Sequence, residues 1–210
     1  MPKRLFDLAF SALALVLLAP VLVAVALWVR LDSAGGTFFR QTRIGRAGQP
    51  FRIYKFRTMQ AGADTAGPAI TVGADARITR AGHWLRRTKL DELPQFINVL
   101  VGDMSIVGPR PEVARYVALY PEALRGIVLS VRPGITDLAS IEFRDESTLL
   151  GQSSDPERTY VQEILPIKLQ YAVQYARSHT LWGDLKIIAQ TAGALWRGRS
   201  HRDMAPKDGT

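Results

Sequence analysis

The stretch TKLDELPQFINVLVGDMSIVGPRPE, Thr88 to Glu112, sets two adjacent acids, Asp91 and Glu92, directly after Arg86, Arg87 and Lys89. A carboxylate can attack phosphorus and form an acyl phosphate. Cations around it can hold a diphosphate and stabilise the charge that moves during phosphoryl transfer. Adjacent helical residues diverge by about 100°, so the two acids can take separate tasks, one attacking while the other orients a cation or a metal. Mg²⁺ suits such a pair, because it takes one or two carboxylates and fills its shell with substrate phosphates. Asp91 and Glu92 are therefore the candidate catalytic and metal-ligating residues. A structural reading competes with this one. Two acids before an apolar run also make an ordinary helix start, and Pro94, tolerable only in a first turn, would place Asp91 at or near an N-cap. The stretch closes on Pro109-Arg110-Pro111 and Glu112. The prolines fix the backbone on both sides of one guanidinium, which pre-organises a planar cation for a phosphate or a ring.

The elements that must position these groups can be read coarsely. Phe51 to Met59 alternates apolar and basic residues, so a short strand is expected, with Lys55 and Arg57 on its outer face. Ala76 to Arg87 and Leu93 to Val101 read as helices. Val113 to Leu129 reads as a helix interrupted near Pro121. Residues 33–50 are rich in glycine and read as loop or turn, as do the small residues of 61–73. Val131 to Thr136 is a turn into a strand through Ser140 and Ile141. Arg158 to Arg177 is expected to be helical around Pro166. Leu181 to Trp196 is a helix that suits either a membrane interface, where tryptophan is favoured, or a soluble core. Arg197 to Thr210 is a polar tail expected to be disordered. The fold class is mostly α with a little β.

The chain has 210 residues, enough for one domain of ordinary size, and a net charge of +8 that calls for an anionic partner. Nucleic acid, anionic lipid and phosphorylated small molecules all qualify, but no helix-turn-helix or aromatic stacking motif supports nucleic acid. The absence of cysteine excludes disulfides, thiolate zinc sites and cysteine nucleophiles. His83, His179 and His201 have no metal-ligand spacing. Leu8 to Val29 carries no charge and is long enough to cross a hydrocarbon core of roughly 30 Å. Pro20 stands at its middle, and both flanks are basic: Lys3 and Arg4 before it, Arg30, Arg40, Arg43 and Arg46 after it. The positive-inside rule asks for both ends on the cytoplasmic side. A helix that enters, bends at Pro20 and returns satisfies both ends, and a straight span satisfies one. A membrane-bound adaptor without catalysis, binding anionic lipid through its basic face, is the non-enzymatic alternative.

Taken jointly, KRLFDLAFSALALVLLAPVLVAVALWVRLDS, RIG…PFRIYKFRTM, LRRTKLDELPQFINVLVGDMSIVGPRPE, RPGIT and GDLKII resemble the bacterial sugar transferases, the small monotopic polyprenyl-phosphate phosphoglycosyl transferases. The resemblance implies transfer of a sugar-1-phosphate from a UDP-sugar to undecaprenyl phosphate, with release of UMP, a ping-pong course and a need for Mg²⁺. It implies Asp91 as nucleophile and Glu92 as its partner. It implies substrate binding by Lys55, Arg57, Arg86, Pro109, Arg110, Pro111, Glu112 and Arg144. It implies a re-entrant helix over residues 1–32, bent at Pro20, and a cytosolic α/β catalytic domain with interfacial amphipathic helices over 33–196, before the tail at 197–210. The setting would be the cytosolic face of the bacterial inner membrane, with membrane lipids as partners and a homo-oligomer compatible with the pattern. Ala19 stands where the family often has serine. DLASIEFRD stands where many members read GWAQVNGR after PGIT, which leaves the sugar open, although Arg144 still falls at the arginine's place. The single apolar segment is expected of the family's minimal form.

Overall fold

The computed structural model describes residues 2–63, 70–73 and 75–197. The expected polar tail lies outside the described residues, apart from Arg197 at the end of the last helix. The opening segment forms one unbroken helix, α1 (Pro2–Asp32), of 31 residues with Pro20 inside it. It is long and apolar enough to cross a membrane. Its middle is bare, with Val16 71% and Leu17 67% exposed.

Both ends of α1, by contrast, are fastened to the rest of the protein. Near the start, the Arg4 guanidinium donates to the carbonyls of Val99 (2.6 Å) and Leu100 (3.1 Å). The buried Asp7 carboxylate accepts from the Ser105 hydroxyl (2.9 Å) and the Ile106 N–H (3.2 Å). The Lys3 ammonium pairs with buried Asp184 at 2.5 Å and donates to the Val107 carbonyl. Near the other end, Val25 and Val29 bury against Phe56 and Leu85, and Trp28 packs on Trp84. Asp32 accepts the Ala81 N–H at 3.0 Å. An apolar helix whose charged residues all sit at its ends can bury those ends without stranding a charge in its middle.

Strands β1 (Phe38–Ile44) and β2 (Pro50–Phe56) form an antiparallel hairpin, with Phe38 opposite Phe56 and Ile44 opposite Pro50. This corrects the expectation of a loop across 33–50. Half-buried and exposed residues do alternate along β1, but Gln41 and Arg43 occupy the inner positions, so a search for apolar alternation finds nothing. Helix α2 (Arg80–Thr88) starts at Thr79, whose hydroxyl accepts the Gly82 N–H. A 3₁₀ turn (Leu90–Glu92) leads into α3 (Gln95–Val101).

Strand β3 (Ser105–Val107) pairs in parallel with β4 (Gly134–Thr136). Gly134 is required at this pairing, since a Cβ there would stand 2.1 Å from the Gly108 nitrogen. Between these strands α4 (Ala114–Val117) and α5 (Glu122–Val128) break at Pro121, as expected. Strand β4 does not continue through Ser140 and Ile141. Asp137 ends it by accepting the Ser140 N–H at 2.7 Å and opens α6 (Leu138–Glu142), because an N-cap carboxylate satisfies a free amide of a helical first turn. Helices α7 (Glu146–Gly151) and α8 (Pro156–Thr159) follow. The expected helix around Pro166 is divided, with a π turn (Tyr160–Ile164) preceding α9 (Leu165–Ser178), where Pro166 falls in the first turn. Helix α10 (Leu181–Arg197) buries Ile187 in the core while Trp182 and Trp196 remain exposed. The described residues are thus mostly helical, with two small sheets.

Candidate functional site

Three short elements converge on Asp91 and Glu92. Lys89, in the left-handed region (φ 58°), ends α2 by donating its N–H to the carbonyls of Leu85 and Arg86. The chain then turns through Leu90–Glu92 and points both acids inward, so that both are buried. Neither acid caps α3. Pro94 occupies the cap position and no side chain bonds there, so the capping role considered for Asp91 is not realised.

The two carboxylates differ sharply. Glu92 Oε1 accepts from Lys55 Nζ (2.8 Å), on β2, and from Arg110 Nη2 (2.5 Å), while its Oε2 accepts from Arg110 Nη1 (3.2 Å). Burial opposes charge on Glu92, but Arg110 and Lys55 outweigh it and hold the carboxyl well below its usual range. Asp91 Oδ1 is buried with no hydrogen-bond partner. Burial, and then the neighbouring Glu92 charge, push the Asp91 carboxyl up. Burial also depresses the Lys55 ammonium, against the pull of Glu92. One acid is locked between cations and the other is unengaged, a separation that marks two roles.

Asp91 and Glu92 line a cavity of about 610 Å³. Lys55, Arg57, Arg86, Arg110, Glu112 and Arg144 line it too, so most of the candidate site residues meet at one place. Pro109 and Pro111 lie beside it. The Pro109 carbonyl accepts the Gly134 N–H (3.0 Å) and the Pro111 carbonyl accepts from Arg43 (3.1 Å), which pins the backbone on each side of Arg110. Glu112 accepts from the Tyr160 hydroxyl at 2.6 Å. Arg86 donates to the hydroxyls of Thr58 (2.9 Å) and Thr71 (3.0 Å). The Arg57 guanidinium is turned toward the end of α1, donating to the carbonyls of Val29 (3.3 Å), Ser33 (2.7 Å) and Ala34. Arg144 reaches the Ala194 carbonyl on α10.

Two participants escaped the sequence reading. Asp137 accepts the Arg110 backbone N–H (3.1 Å) while capping α6; an aspartate three residues before a serine after a β-rich run is the available signal. Arg43, read only as part of a basic flank, approaches Glu112 at 3.7 Å, a pairing that no local spacing announces.

The model of the family described as bacterial sugar transferase matches residues 1–198. The chain is 46% identical over 206 residues to the exopolysaccharide production protein PSS of Rhizobium leguminosarum bv. phaseoli, covering 94% of this chain and 96% of the relative. It is 40% identical over 192 residues to the UDP-glucose:undecaprenyl-phosphate glucose-1-phosphate transferase of Escherichia coli (strain K12), covering 90% of this chain but 39% of that protein. It is 34% identical over 198 residues to the UDP-N-acetylgalactosamine-undecaprenyl-phosphate N-acetylgalactosaminephosphotransferase of Aeromonas hydrophila, covering 93% of this chain and 44% of that protein. The chain therefore spans about two fifths of the length of these two transferases. Matched across nearly its whole length, the chain belongs to the bacterial sugar transferase family.

Proposed function

We propose that this protein transfers a sugar-1-phosphate from a UDP-sugar to undecaprenyl phosphate through a covalent intermediate on Asp91, at the cytosolic face of the bacterial inner membrane. The observation that carries the reading is the unpartnered, buried Asp91 oxygen in a cation-lined cavity, beside an acid that is fully engaged. A desolvated carboxylate is more basic and a better nucleophile than one in water. Its oxygen attacks the β-phosphorus of the donor, the bond from that phosphorus to the bridging oxygen breaks, and UMP leaves with that oxygen. A phosphate oxygen of undecaprenyl phosphate then attacks the same phosphorus and returns the carboxylate.

Glu92 holds Lys55 and Arg110 in fixed positions, so their charge meets the donor without reorganisation. Arg86 adds a cation on the α2 side. Asp91, whose Oδ1 has no partner, would hold Mg²⁺, and Glu92 would join it only by giving up a contact to Lys55 or Arg110. Among the described residues no cluster of three metal-ligating side chains exists. Mg²⁺ takes one or two carboxylates and draws its remaining ligands from substrate phosphates. When bound, the ion neutralises charge on the diphosphate.

Both ends of α1 hold the same domain, which supports the re-entrant arrangement. A straight span would require that domain to lie on both sides of the bilayer. The exposed tryptophans of α10 support an interfacial placement.

The test is intact mass of the protein after donor alone, across a panel that includes UDP-glucose and UDP-N-acetylgalactosamine, the donors named in the relatives, together with UMP release once undecaprenyl phosphate is added. A phosphosugar adduct that Asp91→Asn lacks is expected, as is loss of UMP release on chelation and its return with Mg²⁺. No adduct and no UMP with any donor overturns the reading and favours the lipid-binding adaptor, and full activity in Asp91→Asn overturns the role of Asp91 as nucleophile.

A further inference from the structure

We infer that Lys89 binds a substrate phosphate, presented to the cavity by a backbone conformation that lysine itself disfavours. The inference rests on the transferase reading above and adds to it a residue just upstream of the nucleophile. Lys89 has φ 58° and ψ 16° and ends α2. That position suits glycine or asparagine, because a Cβ in the left-handed region crowds the following carbonyl. The cap alone is thus better served by another residue.

The side chain gives a reason for lysine. Lys89 lines the cavity with Asp91 and Glu92, and its charge acts on both. The cavity's other inward cations already have partners: Lys55 and Arg110 hold Glu92, Arg86 holds two threonine hydroxyls, Arg57 and Arg144 hold carbonyls, and Lys168 holds Glu146. Lys89 is half-buried and makes no hydrogen bond or ion pair with any described side chain. Arg87 also lacks such a partner, but it is exposed and farther along the chain from Asp91. An unpaired, half-buried ammonium beside a nucleophile for phosphorus offers three donors to a phosphate oxygen. That oxygen can come from the donor diphosphate or from the lipid phosphate.

The experiment compares the wild type with Lys89→Asn, Lys89→Gly and Lys89→Arg in lipid nanodiscs. It measures affinity for UDP, affinity for a short-chain polyprenyl phosphate, the thermal unfolding midpoint and UMP release. Asn and Gly should raise the midpoint by about 2–4 °C, as relief of one strained residue does in a chain of this size. They should also weaken one of the two ligands by about tenfold or more, and the ligand that weakens names the phosphate. Arg should keep both affinities within about threefold. Unchanged affinity for both ligands in Lys89→Asn, or a lowered midpoint in Lys89→Gly, overturns the inference. A wild type that binds UDP in a Lys89-dependent way yet releases no UMP overturns the transferase reading and leaves Lys89 as a phosphate ligand.

Discussion

Asp91→Asn should make the protein more stable at neutral pH while removing its activity. The Asp91 carboxylate is buried, one of its oxygens has no partner, and the Glu92 charge lies next to it. A buried polar group left without a partner costs about 1–3 kcal/mol, and a charged one more. Asparagine keeps the shape and still leaves a polar atom unpaired, and it gives up attraction to Lys55, Lys89 and Arg86. The net gain worked from these opposing terms is about 1 kcal/mol, or roughly 2–4 °C in the unfolding midpoint of a domain this size. The pH dependence is diagnostic. Burial first, and Glu92 second, raise the folded-state pKa of Asp91 above its unfolded value. The folded protein therefore binds this proton more tightly, and the penalty is fully present only above the folded pKa. As pH falls through that value the penalty shrinks, and below the unfolded value it is gone. Unfolding midpoints of wild type and Asp91→Asn, measured in detergent from pH 8 to pH 4, should diverge at the alkaline end and converge at the acid end. A less stable asparagine variant at pH 7, or a gap that does not change with pH, refutes the reasoning.

Other perturbations test the surrounding parts. Arg110→Ala strips both guanidinium bonds from Glu92 and leaves Lys55, so a loss of about 1–3 kcal/mol is expected, the lower end favoured because the Arg110 side chain is a third exposed. Glu92 is depressed in the fold, so its contribution is present above its unfolded pKa and is lost as pH falls through the folded one. In Arg110→Ala, acid unfolding followed by circular dichroism should begin at a higher pH, and an unshifted transition counts against the pairing. Arg57→Lys replaces a fork that reaches the carbonyls of Val29, Ser33 and Ala34 by a single ammonium, and should cost about 1–2 kcal/mol. Limited proteolysis should then cut near residues 33–36 sooner than in wild type. Gly134→Ala would force a Cβ to 2.1 Å from the Gly108 nitrogen and should cost more than about 3 kcal/mol or abolish folded yield. A well-folded Gly134→Ala protein would show that the β3–β4 pairing is not as close as described.

How much of this could be read from the chain follows the range of the interactions. Local signals sufficed for α3, α10, the break at Pro121 and the existence of β2, because alternation, apolar period and proline act within a few residues, but not for the facing of β2, where Lys55 and Arg57, expected outward, turn in to Glu92 and to the end of α1. They failed at β1, whose inner face carries Gln41 and Arg43, polar groups that pay their way only once β2 and Glu112 are in place. They failed at Ser140, where the Asp137 cap overrode an apparently strand-like run. Nothing local marks Asp7, at the edge of an apolar segment, because its partners Ser105 and Ile106 lie far along the sequence. The acid pair, the lysine of β2 and the arginine between two prolines stood out by type and spacing. What they could not announce is that Glu92 is held by both cations while Asp91 is left open, because that depends on three distant segments meeting.

The apolar helix cannot be treated as a leash. Arg4, Lys3 and Asp7 clamp its start, and Arg57 grips the carbonyls where it ends, so anchor and domain move as a unit. In the membrane arrangement proposed above, the depth of the Asp91 carboxylate is therefore set once, at folding, with no swivel between helix and domain to adjust it. Trimming away the first 32 residues would therefore not liberate a tractable soluble enzyme. It would uncover Phe56 and Leu85, take the Asp7 carboxylate from Ser105 and the Val29 carbonyl from Arg57, and leave a domain whose missing wall was the helix itself.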